Sequence, residues 1–184
     1  MLKTRSGNPF RLMALLDEAV GAARRVIDER RPEMDDTTRA EVARQIGIGA
    51  VKYADLSVAH DSDYVFDLER MLALSGNTGP YMQYAAARIR SIFRNAGVDA
   101  AAHRAPIALD EEAERALALA LLEFGNVVTR VGDELVPHTL CAYLFDVSQS
   151  FSTFYEQCPV LKATDEASRE SRLSLCALTL RVLE

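Results

Sequence analysis

The run from Gly76 to Arg90 constrains the fold more than any other part of the chain, because it fixes where a helix starts and which way that helix faces. Asn77-Thr78-Gly79-Pro80 combines N-cap candidates, a flexible glycine and a proline whose missing N–H costs nothing in a first helical turn. A helix therefore begins there. At about 100° per residue, Met82, Ala85, Ile89, Ile92, Phe93 and Ala96 fall within a sector of roughly 100°, wide enough for one buried stripe. Tyr81, Tyr84 and Arg88 lie together along one border of that stripe, whereas Arg90 and Arg94 point to the opposite, solvated side.

Two aromatic faces beside a guanidinium suit an unstacked nucleobase and its phosphate, since single-stranded RNA is held by stacking and charge-assisted contacts. Tyrosines three apart beside an apolar stripe are also, in most helices, core-edge residues with the hydroxyl in water. The spacing alone leaves both readings open.

The other segments read the same way. Leu12, Leu15, Leu16, Ala19, Ala23, Val26 and Ile27 form a helical stripe that Pro32 closes. Asp35 to Thr38 supply cap candidates for a second helix running to Leu56, and Gly47 and Gly49 within it indicate close backbone packing. Phe66 to Leu74 reads as a short helix leading into the tyrosine helix. After Gly97 a loop containing Pro106 precedes Asp110-Glu111-Glu112, which opens one helix through Leu117, Leu121, Leu122 and Val128. Pro137 opens another, with Tyr143, Val147, Phe151 and Phe154 on its stripe, ending near Cys158-Pro159. The last starts near Thr164-Asp165-Glu166 and continues to the final residue. No alternating strand pattern and no repeat is present, so the expected fold is all-α, a helical bundle, with a boundary near Gly76.

At 184 residues, 49% hydrophobic and 26% charged, the chain can bury a core and holds one domain or parts of two. A formal charge of −6 argues against a strongly cationic nucleic-acid binder but not against a locally basic surface. Cys141, Cys158 and Cys176 are odd in number and sit in helical patterns, which fits packed thiols in a reducing compartment better than disulfides. His60, His103 and His138 are scattered, with no His or Cys pair at a zinc-ligand spacing, so they read as loop or capping residues and no metal is expected. No apolar run reaches membrane-spanning length and the N-terminus lacks a signal-peptide core, so a cytoplasmic protein without membrane partners is expected.

Taken together in order and spacing, Gly49 to Ser57, Asp63-Tyr64-Val65-Phe66-Asp67, Met71-Leu72 and Gly76 to Arg90 resemble the class I arginyl-tRNA synthetases. Downstream, Pro137-His138, Cys141 to Asp146, Phe151-Ser152, Phe154-Tyr155-Glu156, Cys158 to Leu161 and Ser171-Arg172-Leu173 are similar to the C-terminal helical domain of the bacterial enzyme. The resemblance covers nearly the whole chain. It implies a DALR-type anticodon-binding domain over 76–184, preceded over 1–75 by the helical tail of a catalytic domain.

By that resemblance Tyr81, Tyr84 and Arg88 match the helix that contacts the tRNA anticodon loop, Tyr155 matches a further aromatic of the pocket, and Gln83 is a weaker neighbour. Lys3 and Thr4 match the second lysine and final hydroxyl of the mobile loop that holds ATP phosphates, where ammonium and hydroxyl donors neutralise charge developing on pyrophosphate. Without the family, Lys3 to Gly7 is only a basic polar tail. The histidine-rich ATP signature and the arginine pocket have no counterpart here, and both ends look truncated. The resemblance thus implies a monomeric, tRNA(Arg)-binding portion of a ligase that uses arginine and ATP with Mg in its full-length form, inactive and without a cofactor by itself. The alternatives are a free-standing helical tRNA- or protein-interaction module and a helical bundle with no ligand.

Overall fold

A computed structural model describes residues 12–62 and 66–184, and among these the backbone forms helices and no strand, as the all-α expectation requires. In chain order the helices are α1 (Leu12–Arg30), α2 (Asp36–Leu56), α3 (Leu68–Met71), α4 (Gly79–Ala96), α5 (Glu112–Leu122), α6 (Phe124–Glu134), α7 (Pro137–Gln157) and α8 (Glu166–Leu183). Lys3 and Thr4, and Asp63 to Val65 of the second resembling block, lie outside the described residues. The chain divides into two compact units, Met1–Tyr81 and Met82–Glu184, so the division falls in the first turn of α4.

In the first unit α1 and α2 pack through small residues. Ala23, Ile27 and Ala43 are buried together, with Val20, Ile46 and Leu72 against them. Gly47 allows the close approach: a Cβ there would lie 2.6 Å from the backbone nitrogen of Val20. Helix α2 starts where its cap candidates put it, with the Asp35 carboxylate accepting from the Thr38 N–H at 2.9 Å. The turn before α4 is pinned to α2 in a similar way. A Cβ on Gly79 would meet the Gly49 carbonyl oxygen at 2.8 Å, and the Tyr53 hydroxyl donates to Asn77 Oδ1 at 2.6 Å. Thr78 caps the helix, its Oγ1 accepting from the Tyr81 N–H at 3.2 Å while donating to the Ala73 carbonyl at 2.6 Å. The short helix expected over 66–74 shrinks to α3, because Asp67 caps it at one end and Leu72 leaves helical geometry at the other.

Among the described residues the larger buried cluster lies in the second unit. Ile89, Ile92 and Phe93 of α4, Leu117 of α5, Phe151 and Phe154 of α7, and Leu173, Cys176 and Leu180 of α8 bury one another. The single helix expected from Asp110 past Val128 is two helices, α5 and α6, parted at Glu123. Tyr143 of α7 accounts for the break, since its hydroxyl donates at 2.9 Å to the Ala120 carbonyl, the acceptor a continuous helix would offer Phe124. Helix α6 closes at Leu135 in the left-handed region, and Pro137 then starts α7 at its first position.

Candidate nucleic-acid interface

Burial of the α4 stripe sets the rotation of that helix. Met82, Ala85, Ile89, Ile92 and Phe93 are all buried, and Ala86 joins them, which leaves Tyr84 on the border at 44% exposed. The same logic operates on α7. Phe151 and Phe154 are fully buried, so the next residue, Tyr155, turns to the surface at 38% exposed.

The two helices bring Tyr84, Arg88 and Tyr155 into one cluster. The Arg88 guanidinium carbon lies 5.0 Å from the ring centre of Tyr84 and 5.0 Å from that of Tyr155, a cation held by two aromatic faces. Arg88 Nη2 also donates to the Tyr84 hydroxyl at 2.7 Å. The Tyr155 ring is steadied from below by Phe151, with centroids 6.0 Å apart. Of the remaining residues, Tyr81 is half-buried and belongs to the first unit, and Gln83 is exposed. Arg90 faces away, as its position on the wheel requires, and pairs with Glu184 at 2.7 Å.

Beside Arg88 and Tyr155 a cavity of about 370 Å³ opens between α4 and the segment that follows α7. Ser91, Ile92 and Asn95 line it from α4, and Pro159, Val160, Leu161 and Lys162 from the other side. Neither the tyrosine spacing nor the family resemblance points to Ser91, Asn95 or Lys162. Ser91 and Asn95 follow Arg88 at i+3 and i+7 and so continue its face of the helix, which is the one signal that could have found them.

A buried ion pair fixes the far wall. Arg172 of α8 donates through Nη1 to the Pro159 carbonyl at 3.0 Å and through Nε to Glu114 Oε1 at 2.7 Å, with the Glu114 side chain only 3% exposed. The other Glu114 oxygen accepts the N–H groups of Asp110 and Glu111 at 2.9 and 3.0 Å, closing the N-terminus of α5. Burial by itself would raise the Glu114 carboxyl. The Glu111 N–H, the Arg172 guanidinium and the Asp110 N–H together outweigh it and hold the group below the usual carboxylate range.

Among the described residues no three His, Cys, Asp or Glu side chains come together in a way that could hold a metal ion, and no helix is long and apolar enough to cross a membrane. The cluster offers ring faces, guanidinium N–H groups and an adjoining cavity, which is equipment for holding a planar ligand with negative charge nearby.

Comparison with known proteins points the same way. Residues 82–184 match the family described as DALR anticodon binding domain, and residues 1–68 match that described as tRNA synthetases class I (R), catalytic domain. The arginine–tRNA ligase of Thermobifida fusca (strain YX) is 63% identical over 183 residues, covering 100% of this chain and 32% of that relative. The Thermus thermophilus arginyl-tRNA synthetase structure superposes with a TM-score of 0.87 at 35% identity, over 97% of this chain and 30% of its own. The Plasmodium falciparum arginyl-tRNA synthetase gives a TM-score of 0.82 at 29% identity, over 95% and 31%. The chain thus spans about a third of the length of these relatives. It belongs to the DALR anticodon-binding domain family, in the form found in the C-terminal part of arginyl-tRNA synthetases.

Proposed function

We propose that this chain is the tRNA-binding portion of an arginyl-tRNA synthetase and that Tyr84, Arg88 and Tyr155 receive an unstacked base of the tRNA(Arg) anticodon loop. The observation that carries this reading is the placement of Arg88 at 5.0 Å from two partly exposed tyrosine rings that come from different helices of the anticodon-binding family's own segment. A tyrosine face stacks on any base, and a guanidinium beside it answers the phosphate that accompanies the base. Tyr81, in the first unit, enters this reading through the family resemblance alone.

In this reading residues 1–75 are the helical tail of the catalytic domain and residues 76–184 the anticodon module. The complete enzyme would join arginine to tRNA(Arg) in the cytoplasm using ATP with Mg, with Lys3 and Thr4 in the loop that holds the ATP phosphates. The chain alone, as a monomer, binds and does not catalyse. Two measurements test this. The purified 184-residue chain should transfer no arginine to tRNA, and turnover would show that it carries its own active site. It should bind the anticodon stem-loop of tRNA(Arg), with Tyr84→Ala and Tyr155→Ala each costing about 1–3 kcal/mol. Unchanged affinity in both variants would remove the cluster from the interface.

A further inference from the structure

We propose that the groove between residues 103–107 and helix α8 is a docking site for an acidic peptide segment of a partner protein, one that places an apolar side chain between carboxylates. The inference does not depend on the RNA reading above, because no residue of the tyrosine cluster lines this groove.

The groove is built from backbone that forms neither helix nor strand. Between α4 and α5 the chain runs along α8, and two serines of that helix hold it. The Ser174 hydroxyl donates to the Ala105 carbonyl at 3.0 Å and accepts the Ala105 N–H at 3.1 Å. Ser171 does the same for Ala108, at 2.9 Å each way. Both serines are buried, so their hydroxyls take the place of the water that this backbone would otherwise need. His103 fixes the start of the segment, with Nε2 donating to the Glu170 carbonyl at 3.1 Å and the ring tilted against Phe93. The groove is therefore set before any ligand arrives, and binding need not order it.

Its charge singles it out. The cavity of about 310 Å³ is lined by Arg104 and Arg181, with Ile107 and Leu178 at 41% and 37% exposed, and no carboxylate belongs to the lining. The chain as a whole has a formal charge of −6. The other two arginines of α8 are neutralised, Arg169 by Glu166 and Glu170 and Arg172 by Glu114. Among the described residues Arg181 has no such partner, and Arg104 commits only Nη1, to the His103 carbonyl at 2.6 Å.

Guanidinium groups meet carboxylates in planar, two-bond contacts and are weakly hydrated, so this pair suits acidic side chains. Ile107 and Leu178 add apolar area that a free anion could not use. RNA fits less well, since a base needs a ring to stack on and the one ring in the lining, His103, is 8% exposed. Ligand sites begin at roughly 300 Å³, so the volume has room for the side chains of a short segment and not for a folded surface.

The test uses the full chain, isotope-labelled, and the peptide Glu-Glu-Leu-Glu-Glu, with affinity read from amide shifts and from anisotropy of a labelled copy of the peptide. Shifts should map to residues 103–107 and to the outer face of α8 around Leu178. Arg104→Gln and Arg181→Gln should each weaken binding about 2- to 5-fold, the range of an exposed ion pair. These losses should shrink as KCl rises. Gln-Gln-Leu-Gln-Gln and Glu-Glu-Ser-Glu-Glu should both bind more weakly than the parent peptide, and Ile107→Ser should reproduce the second loss. Arg130→Gln, on α6 and outside the groove, should change nothing. Arg104, Ile107 and Arg181 are exposed, so thermal melts of their variants should match the unmodified chain. Absence of shifts in the groove would overturn the proposal. Equal binding of Glu-Glu-Ser-Glu-Glu would reduce the site to a simple anion contact, and an equal loss in Arg130→Gln would reduce it to diffuse charge; either overturns it. Displacement of the peptide by a tRNA(Arg) anticodon stem-loop, with weaker stem-loop binding in Arg104→Gln, would assign the groove to RNA instead. A dimer of the unmodified chain that Arg181→Gln dissolves would assign it to a second copy. The anticodon reading stands or falls separately, on the Tyr84 and Tyr155 variants.

Discussion

Arg172 shows how a single side chain connects the stability of the second unit to the shape of its ligand surface. It neutralises Glu114, which is buried and caps α5, and it holds the Pro159 carbonyl at the cavity wall. Arg172→Met would leave a carboxylate buried without its partner, a loss of about 3–5 kcal/mol, and urea unfolding is the measurement that reads it. The carboxyl also makes the unit acid-sensitive. Its folded value is held below the ordinary one, so the ionised form contributes stability that is fully present above the ordinary carboxylate range and is lost as pH falls through the lowered folded value. Urea midpoints of the unmodified chain and Glu114→Gln should therefore differ most near neutral pH and converge on acidification. A gap that stays constant with pH would mean that the charge on Glu114 does not matter.

At the scale of helices, the glycines separate into those that carry packing and those that do not. A Cβ on Gly47 would sit 2.6 Å from the Val20 backbone, so Gly47→Ala must push α1 and α2 apart, at about 1–3 kcal/mol. On α6, Gly125 and Gly132 have nothing within 4 Å of such an atom, and alanine at either should stabilise by about 0.5–1 kcal/mol through helix propensity alone. Thermal melts of the three variants check the contrast in sign. The value of Gly47 was legible in the sequence, because a glycine inside a helical stripe has few other uses. The break between α5 and α6 was not, because it depends on the Tyr143 hydroxyl arriving from α7, and periodicity within one segment carries no trace of that contact. The site divides along the same line. The 3.6-residue period put Tyr84 and Arg88 on one border, but it could not say that α7 would deliver Tyr155 to the other side of the guanidinium, which only the family resemblance suggested. Lys162 carries no sequence signal, since its place at the cavity comes from a bend after α7 that Arg172 fixes from a distant helix.

For the whole molecule, the decisive fact is that its two units have unlike cores. Among the described residues, the first buries mainly Ala19, Ala23, Ala43 and Ala50 with Ile27, Val51 and Met71, whereas the second buries Phe93, Leu117, Phe151, Phe154, Leu173 and Leu175. Apolar burial contributes about 25 cal/mol per Å², and alanine has little area to bury, so the first unit should be the weaker one. The cysteines give a selective probe of the difference. Cys141, Cys158 and Cys176 are all buried in the second unit, and burial pushes the Cys176 thiol up to about 12, far from the thiolate that alkylating reagents require. In a urea titration, helicity by circular dichroism should begin to fall while the thiols are still protected, and amides of α1 and α2 should exchange before those of α7 and α8. Coincident transitions would mean that the chain unfolds as one cooperative body. Because Tyr84, Arg88 and Tyr155 lie entirely within the second unit, stem-loop affinity should follow the thiols and not the early loss of helicity. Affinity that disappears with the first helices would show instead that RNA binding requires the first unit to be folded.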